Sequence, residues 1–162
     1  MARVLVLGYG NPLRSDDGLG WQMAVELFRA NASQEVLVLP CHQLTPDLAE
    51  TASFAETVIF IDASRTGKPG EIRCDEVFSQ SGPASFTHDL SPAGLLALAA
   101  ELFGVCPQAY LFSICGECFD AGQDLSRSVS SRVPELKAMV RERIAEVLAR
   151  SSQHPRSHSM AS

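Results

Sequence analysis

Two adjacent carboxylates, Asp16 and Asp17, stand between glycines in the stretch Gly8-Tyr9-Gly10-Asn11-Pro12-Leu13-Arg14-Ser15-Asp16-Asp17-Gly18-Leu19-Gly20. A third, Asp62, closes the apolar run Val58-Ile59-Phe60-Ile61, and His88 lies in Phe86-Thr87-His88-Asp89-Leu90-Ser91-Pro92. If the fold brings Asp17, Asp62 and His88 together, they offer two hard oxygen donors and one imidazole with positions left open. Such a set suits a divalent first-row metal such as Ni²⁺, Zn²⁺ or Fe²⁺, and spacing alone does not choose among them. A buried pair of carboxylates is costly unless it shares a cation or a proton. Paired carboxylates can also split their pKa values, which makes Asp17 or Asp62 a candidate general base for water. Each residue has a structural reading as well: an aspartate caps a helix by meeting its dipole, Asp62 can be a turn residue, and His88 an ordinary loop side chain. Two carboxylates in succession exceed what capping needs.

Other motifs exclude alternatives. A dinucleotide fingerprint needs a third glycine where Leu13 stands, and it tolerates no carboxylates where pyrophosphate meets the helix N-terminus. A nucleotide-binding Rossmann-type enzyme is therefore disfavoured, and a Walker A loop fails for want of a Gly-Lys-Ser or Gly-Lys-Thr. The serine elbow Gly-x-Ser-x-Gly and the zinc helix His-Glu-x-x-His are both absent. Cys115-Gly116-Glu117-Cys118 is a C-x-x-C without the second pair of a structural zinc site, so it reads as two ordinary thiols.

Five runs rich in branched aliphatics read as the strands that must carry these loops: Arg3 to Gly8, Glu35 to Leu39, Thr57 to Asp62, Glu71 to Asp75 and Ala109 to Ile114. Several are continuously apolar, as a strand buried on both faces requires, which points to a mostly parallel sheet covered by helices. The more polar Glu71 to Asp75, reached through Gly67-Lys68-Pro69-Gly70, reads as an antiparallel edge strand. Helices are expected after Ser15 and Asp16 (carrying Leu19, Met23, Leu27 and Phe28), after Thr45-Pro46-Asp47, after Ser91-Pro92, and from near Pro134. The last carries Leu136, Met139, Val140, Ile144, Val147 and Leu148 at helical spacing. Ligand sites in open α/β sheets form outside the carboxyl ends of the strands. Asp62 and the Asn11 to Asp17 loop both occupy such ends, and neighbouring parallel strands would bring Asp17 and Asp62 close.

Composition sets the outer bounds. The chain of 162 residues is 46% hydrophobic, enough for one cored domain over 1–150. Its net charge of −6 provides no broad basic surface for nucleic acid. The longest apolar runs fall well short of the roughly 20 residues that cross a bilayer. Five cysteines, Cys41, Cys74, Cys106, Cys115 and Cys118, are scattered through apolar segments and suit buried thiols in the cytoplasm. The polar segment 151–162, with His154 and His158, reads as a disordered, solvated tail.

Taken together, Leu7-Gly8-Tyr9-Gly10-Asn11-Pro12 with Ser15-Asp16-Asp17-Gly18-Leu19-Gly20, then Ile61-Asp62-Ala63 with Gly67-Lys68-Pro69-Gly70-Glu71, then Thr87-His88, resemble the hydrogenase maturation endopeptidases. The resemblance implies an α/β/α sandwich with a five-stranded twisted sheet, acting as a monomer. It implies removal of a C-terminal peptide from the nickel-iron hydrogenase large-subunit precursor after nickel insertion, the nickel being carried by that substrate. Carried over by motif, the metal-contacting residues are Asp17, Asp62 and His88. Relatives often have Gly-x-x-Pro-Glu after the last strand, where this chain reads Ser113-Ile114-Cys115-Gly116-Glu117 and keeps only the glutamate. The alternative from another class is a non-catalytic nickel-sensing or chaperone module that binds the same precursor.

Overall fold

The computed structural model describes residues 2–79 and 90–152. His88, and the tail beyond residue 152, lie outside the described residues. The five expected strands are all present: β1 (Val4–Tyr9), β2 (Val36–Cys41), β3 (Thr57–Ser64), β4 (Ile72–Val77) and β5 (Gln108–Cys115). They form one sheet in the order β2-β1-β3-β5-β4. The first three pairings are parallel, and β4 runs antiparallel to β5. Thus β4 follows β3 in the chain, yet β5 is inserted between them.

Burial explains the strand sequences. In β1 and β3 every residue from Val4 to Leu7 and from Thr57 to Ile61 is buried, because helices cover both faces and neighbours flank both edges. At the edge, β2 alternates, with Val36 and Val38 buried and Leu37 exposed, while β4 is largely exposed and polar.

The helices are α1 (Leu19–Ala30), α2 (Leu48–Ser53), α3 (Pro92–Phe103), α4 (Arg127–Ser130) and α5 (Val133–Ser152). On one face, Leu19, Met23 and Leu27 of α1 and Leu136, Val140 and Val147 of α5 pack on Val4, Val6, Ile59 and Phe112. On the other, Leu48, Ala49 and Ala52 of α2 and Leu95, Leu96 and Ala99 of α3 pack on Leu5, Leu7, Val58 and Phe60. The result is the three-layer α/β/α arrangement. The α3 start is as expected, since the Ser91 hydroxyl accepts from Gly94 N at 3.0 Å ahead of Pro92.

Three local expectations need correction. Phe28 is 59% exposed, because Leu19, Met23 and Leu27, four residues apart, carry the buried stripe of α1 and Phe28 lies beside it. Of the cysteines only Cys115 is buried; Cys74 on the edge strand and Cys106 in the loop before β5 are exposed. The closing helix runs two residues into the segment expected to be tail, ending at Ser152.

Candidate active site

The site forms where β1 leaves the sheet. Pairing between β1 and β3 stops at Gly8 and Ile61, whereas β3 and β5 stay paired through Asp62–Ser113, Ala63–Ile114 and Ser64–Cys115. Asp62 is therefore not the last residue of its strand, as expected, but the first to lose its β1 neighbour. It borders the gap that opens there. This is also the topological switch point, with β2 on one side of β1 and β3 on the other. A cavity of about 800 Å³ occupies the gap, lined among others by Tyr9, Asn11, Asp17, His42, Asp62 and Arg65.

The glycines of the first motif let backbone and helix approach each other closely. A Cβ on Gly8 would lie 2.1 Å from the Gly20 carbonyl oxygen, and one on Gly10, at φ 141°, would lie 1.8 Å from that of Asp17. The helix starting with α1 thus presses directly on the sheet, and Asp17 is delivered against β1. Asn11 then orders the loop twice: its side-chain oxygen accepts from Leu13 N at 2.9 Å, and its own N–H donates to Asp17 Oδ2 at 2.9 Å.

Neither Asp16 nor Asp17 caps α1, which corrects the capping reading. A short 3-10 turn, Ser15–Gly18, precedes the helix instead. Asp16 is fully buried and points away from the cavity. It accepts from Glu117 N at 2.8 Å, Cys118 N at 3.0 Å, Ser126 N at 2.7 Å and Ser126 Oγ at 2.8 Å. Ser15, the single non-glycine residue with positive φ among the described residues (52°), donates from its hydroxyl to the Asp120 carbonyl at 2.8 Å and from its N–H to that of Gly122 at 2.8 Å. The acidic pair divides its work: Asp16 fastens the loop after β5, and Asp17 faces the cavity.

Asp62 accepts from Ala63 N at 2.8 Å and from the Tyr9 hydroxyl. Burial pushes its carboxyl up to about 7, the negative charge of Asp17 adds to this, and the Ala63 N–H, Tyr9 hydroxyl and Arg65 oppose it. Tyr9 is pushed up too, by burial and then by the Asp62 charge. The native state therefore holds a proton on Asp62 that the unfolded chain releases. Stability from this group falls as pH rises from about 4 to about 7. Asp62→Asn, which keeps an acceptor for Ala63 and Tyr9, is expected to gain on the wild type across that window and to hold the gain at higher pH. Denaturant unfolding of both proteins near the two ends checks this; a difference independent of pH would contradict it.

The structure brings Asp17 and Asp62 to one cavity, as their strands required. His88 lies outside the described residues, although Leu90, Ser91 and Pro92, just after it, line the same cavity. Among the described residues no three of His, Cys, Asp and Glu are gathered as a metal site. Cys115 and Cys118 are free thiols, and their loop's N–H groups serve Asp16. Tyr9, His42 and Arg65 are cavity residues that sequence reasoning did not single out. Tyr9 was hidden in the first motif as a spacer between glycines. His42 directly follows β2, a position marked by the strand-end rule; its ring lies 6.4 Å from that of Trp21.

No protein-family model matches the chain, and no curated protein does. Solved structures do. The chain is 24% identical to the hydrogenase maturating endopeptidase HybD from E. coli, covering 89% of this chain and 93% of that one at a TM-score of 0.72. It is 24% identical to the [NiFe] hydrogenase maturation protease HycI from Thermococcus kodakarensis, covering 91% and 93% at 0.71. It is 27% identical to the hydrogenase 2 maturation peptidase from Thaumarchaeota archaeon SCGC_AB-539-E09, covering 88% and 98% at 0.68. Over most of its length this chain has the hydrogenase maturation protease fold.

Proposed function

We propose that this protein is an endopeptidase that removes the C-terminal extension of a nickel-iron hydrogenase large-subunit precursor after nickel has been inserted. The observation that carries the reading is the convergence of Asp17 and Asp62 on one open cavity at the switch point of this fold. In this reading Asp17, Asp62 and His88 contact the nickel that the precursor's cysteines already hold. The two carboxylates offset the charge of that substrate metal, and Asn11 N and the Tyr9 hydroxyl aim them. A precursor without nickel lacks the contact, so binding energy from the metal licenses cleavage. The protein acts as a monomer in the cytoplasm, a compartment in which five free thiols persist. The solved structures that the chain resembles are named as proteases, which favours cleavage over a non-catalytic binding module.

A second reading makes Asp62 or Asp17 the general base that activates water, on the ground that burial and the charge of Asp17 bring the Asp62 carboxyl up to about 7, where its ionised form is a stronger base than an ordinary carboxylate. The two readings separate on nickel. With purified precursor, the recognition reading predicts shortening of the nickel-loaded form and an intact nickel-free form. Cutting of both at the same rate would remove nickel recognition and leave the general-base reading.

A further inference from the structure

Two guanidinium groups stand at the same cavity, and apart from the pull of the Arg65 charge on Asp62 they have no part in the roles given above. Arg14 lies in the loop after β1 and Arg65 just past the end of β3, and both line the space that Asp17 and Asp62 line. Both are anchored on one residue of the loop after β5. Arg14 Nε donates to the Phe119 carbonyl at 3.4 Å, and the guanidinium carbon of Arg65 sits 4.0 Å from the centroid of the Phe119 ring. Phe119 is held in turn by its neighbours: Cys118 N donates to Asp16, and the Asp120 carbonyl accepts from Ser15.

The pair is therefore mounted on a braced loop, while both side chains are exposed. Among the described residues neither arginine comes within ion-pair distance of a carboxylate, and Arg65 acts on Asp62 only through its charge at longer range. Stacking on Phe119 occupies the face of the Arg65 guanidinium and leaves its N–H edge free. The contact of Arg14 uses Nε and leaves the terminal nitrogens. A free planar fork of donors matches a carboxylate bidentately. Among the described residues the acids lining the cavity are Asp17 and Asp62, and they accept from Asn11 N and from Tyr9 and Ala63.

We propose that Arg14 and Arg65 form a clamp for a carboxylate of the polypeptide being processed. The proposal rests on the endopeptidase reading for the identity of that polypeptide; the carboxylate chemistry comes from the guanidinium pair. Three sources share this chemistry: an acidic side chain of the extension, the extension's own C-terminal carboxylate, and the carboxylate made by cleavage. In that last case water adds to the scissile carbonyl carbon, the C–N bond breaks, and the departing amine takes up a proton. Leu13, 60% exposed beside Arg14 and lining the cavity, provides an apolar contact for the flanking residue.

The test has two arms. In the first, the Nε–H NMR signals of Arg14 and Arg65 are followed during titration with N-acetylglycine and, separately, with N-acetylglycinamide. Saturable shifts at both arginines with the acid and none with the amide are expected. Signals that ignore both probes, or respond to both alike, overturn the clamp. In the second, Arg14→Gln and Arg65→Gln are assayed on the nickel-loaded precursor. Each is expected to raise KM by about tenfold or more, the size of a lost charge-assisted hydrogen bond, with kcat changed by less than about threefold, where the carboxylate belongs to the precursor, or to weaken inhibition by the processed subunit by the same factor where cleavage makes it; an unchanged KM together with unchanged product inhibition overturns the clamp. The source follows from the ligand whose effect the variants abolish: a precursor amidated at its C-terminus, one with the extension's acids converted to amides, or the processed subunit added as inhibitor. If the wild type cuts no precursor, the endopeptidase reading fails while the acetylglycine titration still decides the clamp.

Discussion

Asp16→Ala is expected to destabilise the protein by about 3–5 kcal/mol, the cost of breaking a buried charge-assisted network from one side. The substitution leaves three backbone N–H groups and the Ser126 hydroxyl without their acceptor. Such a loss is a large fraction of the 5–15 kcal/mol that holds a typical domain together. Burial acts to raise the Asp16 carboxyl, but the N–H donors of Cys118, Glu117 and Ser126, with the Ser126 hydroxyl, outweigh it and hold the group below the ordinary carboxylate range. The native state then binds fewer protons than the unfolded chain. The contribution of Asp16 is present in full above its unfolded value and is lost as pH falls below about 4. Denaturant unfolding should show a wide gap between wild type and variant at neutral pH that narrows in acid. An equal stability at neutral pH would contradict the bracing role of this residue.

Gly20→Ala is expected to cost about 3 kcal/mol, at the upper end of overpacking penalties, and to lower activity by about 100-fold through misplacement of the site. A Cβ there would lie 2.2 Å from the Ile61 carbonyl oxygen, 2.5 Å from that of Tyr9 and 2.8 Å from Tyr9 N. All three are backbone atoms of adjoining strands, so the helix itself must lift. Asp17 stands three residues before Gly20, while Asp62 directly follows Ile61. Lifting α1 therefore separates the two carboxylates. Thermal unfolding and the precursor assay check the two effects; wild-type values in both would show that the helix approach is not what sets the site.

Much of the scaffold was legible in the sequence because it follows from local rules. Continuous apolarity in Val4 to Leu7 and Val58 to Ile61 marked strands buried on both faces, and polarity in Glu71 to Asp75 marked an edge, which the structure has as Ile72–Val77. The convergence of Asp17 and Asp62 followed from strand ends and a parallel pairing. What escaped were the long-range side-chain roles. Asp16 and Asp17 look alike in the chain, but the partners of Asp16 lie 101 to 110 residues away, a distance at which no periodicity gives a signal. The same holds for the Arg14 and Arg65 contacts with Phe119. The four residues of α4 are too few to show a helical period. The glycines resembled a nucleotide loop and serve instead to seat α1 on the sheet.

The most direct test of the endopeptidase reading is the mass of a nickel-loaded hydrogenase large-subunit precursor after incubation with this protein, beside Asp17→Asn. The substituted residue keeps an oxygen for Asn11 N and loses only the charge. Loss of a C-terminal peptide with the wild type and an intact precursor with the variant is the predicted result. A precursor of unchanged mass held in a stable complex with the wild-type protein would contradict it and identify a binding module in place of a protease.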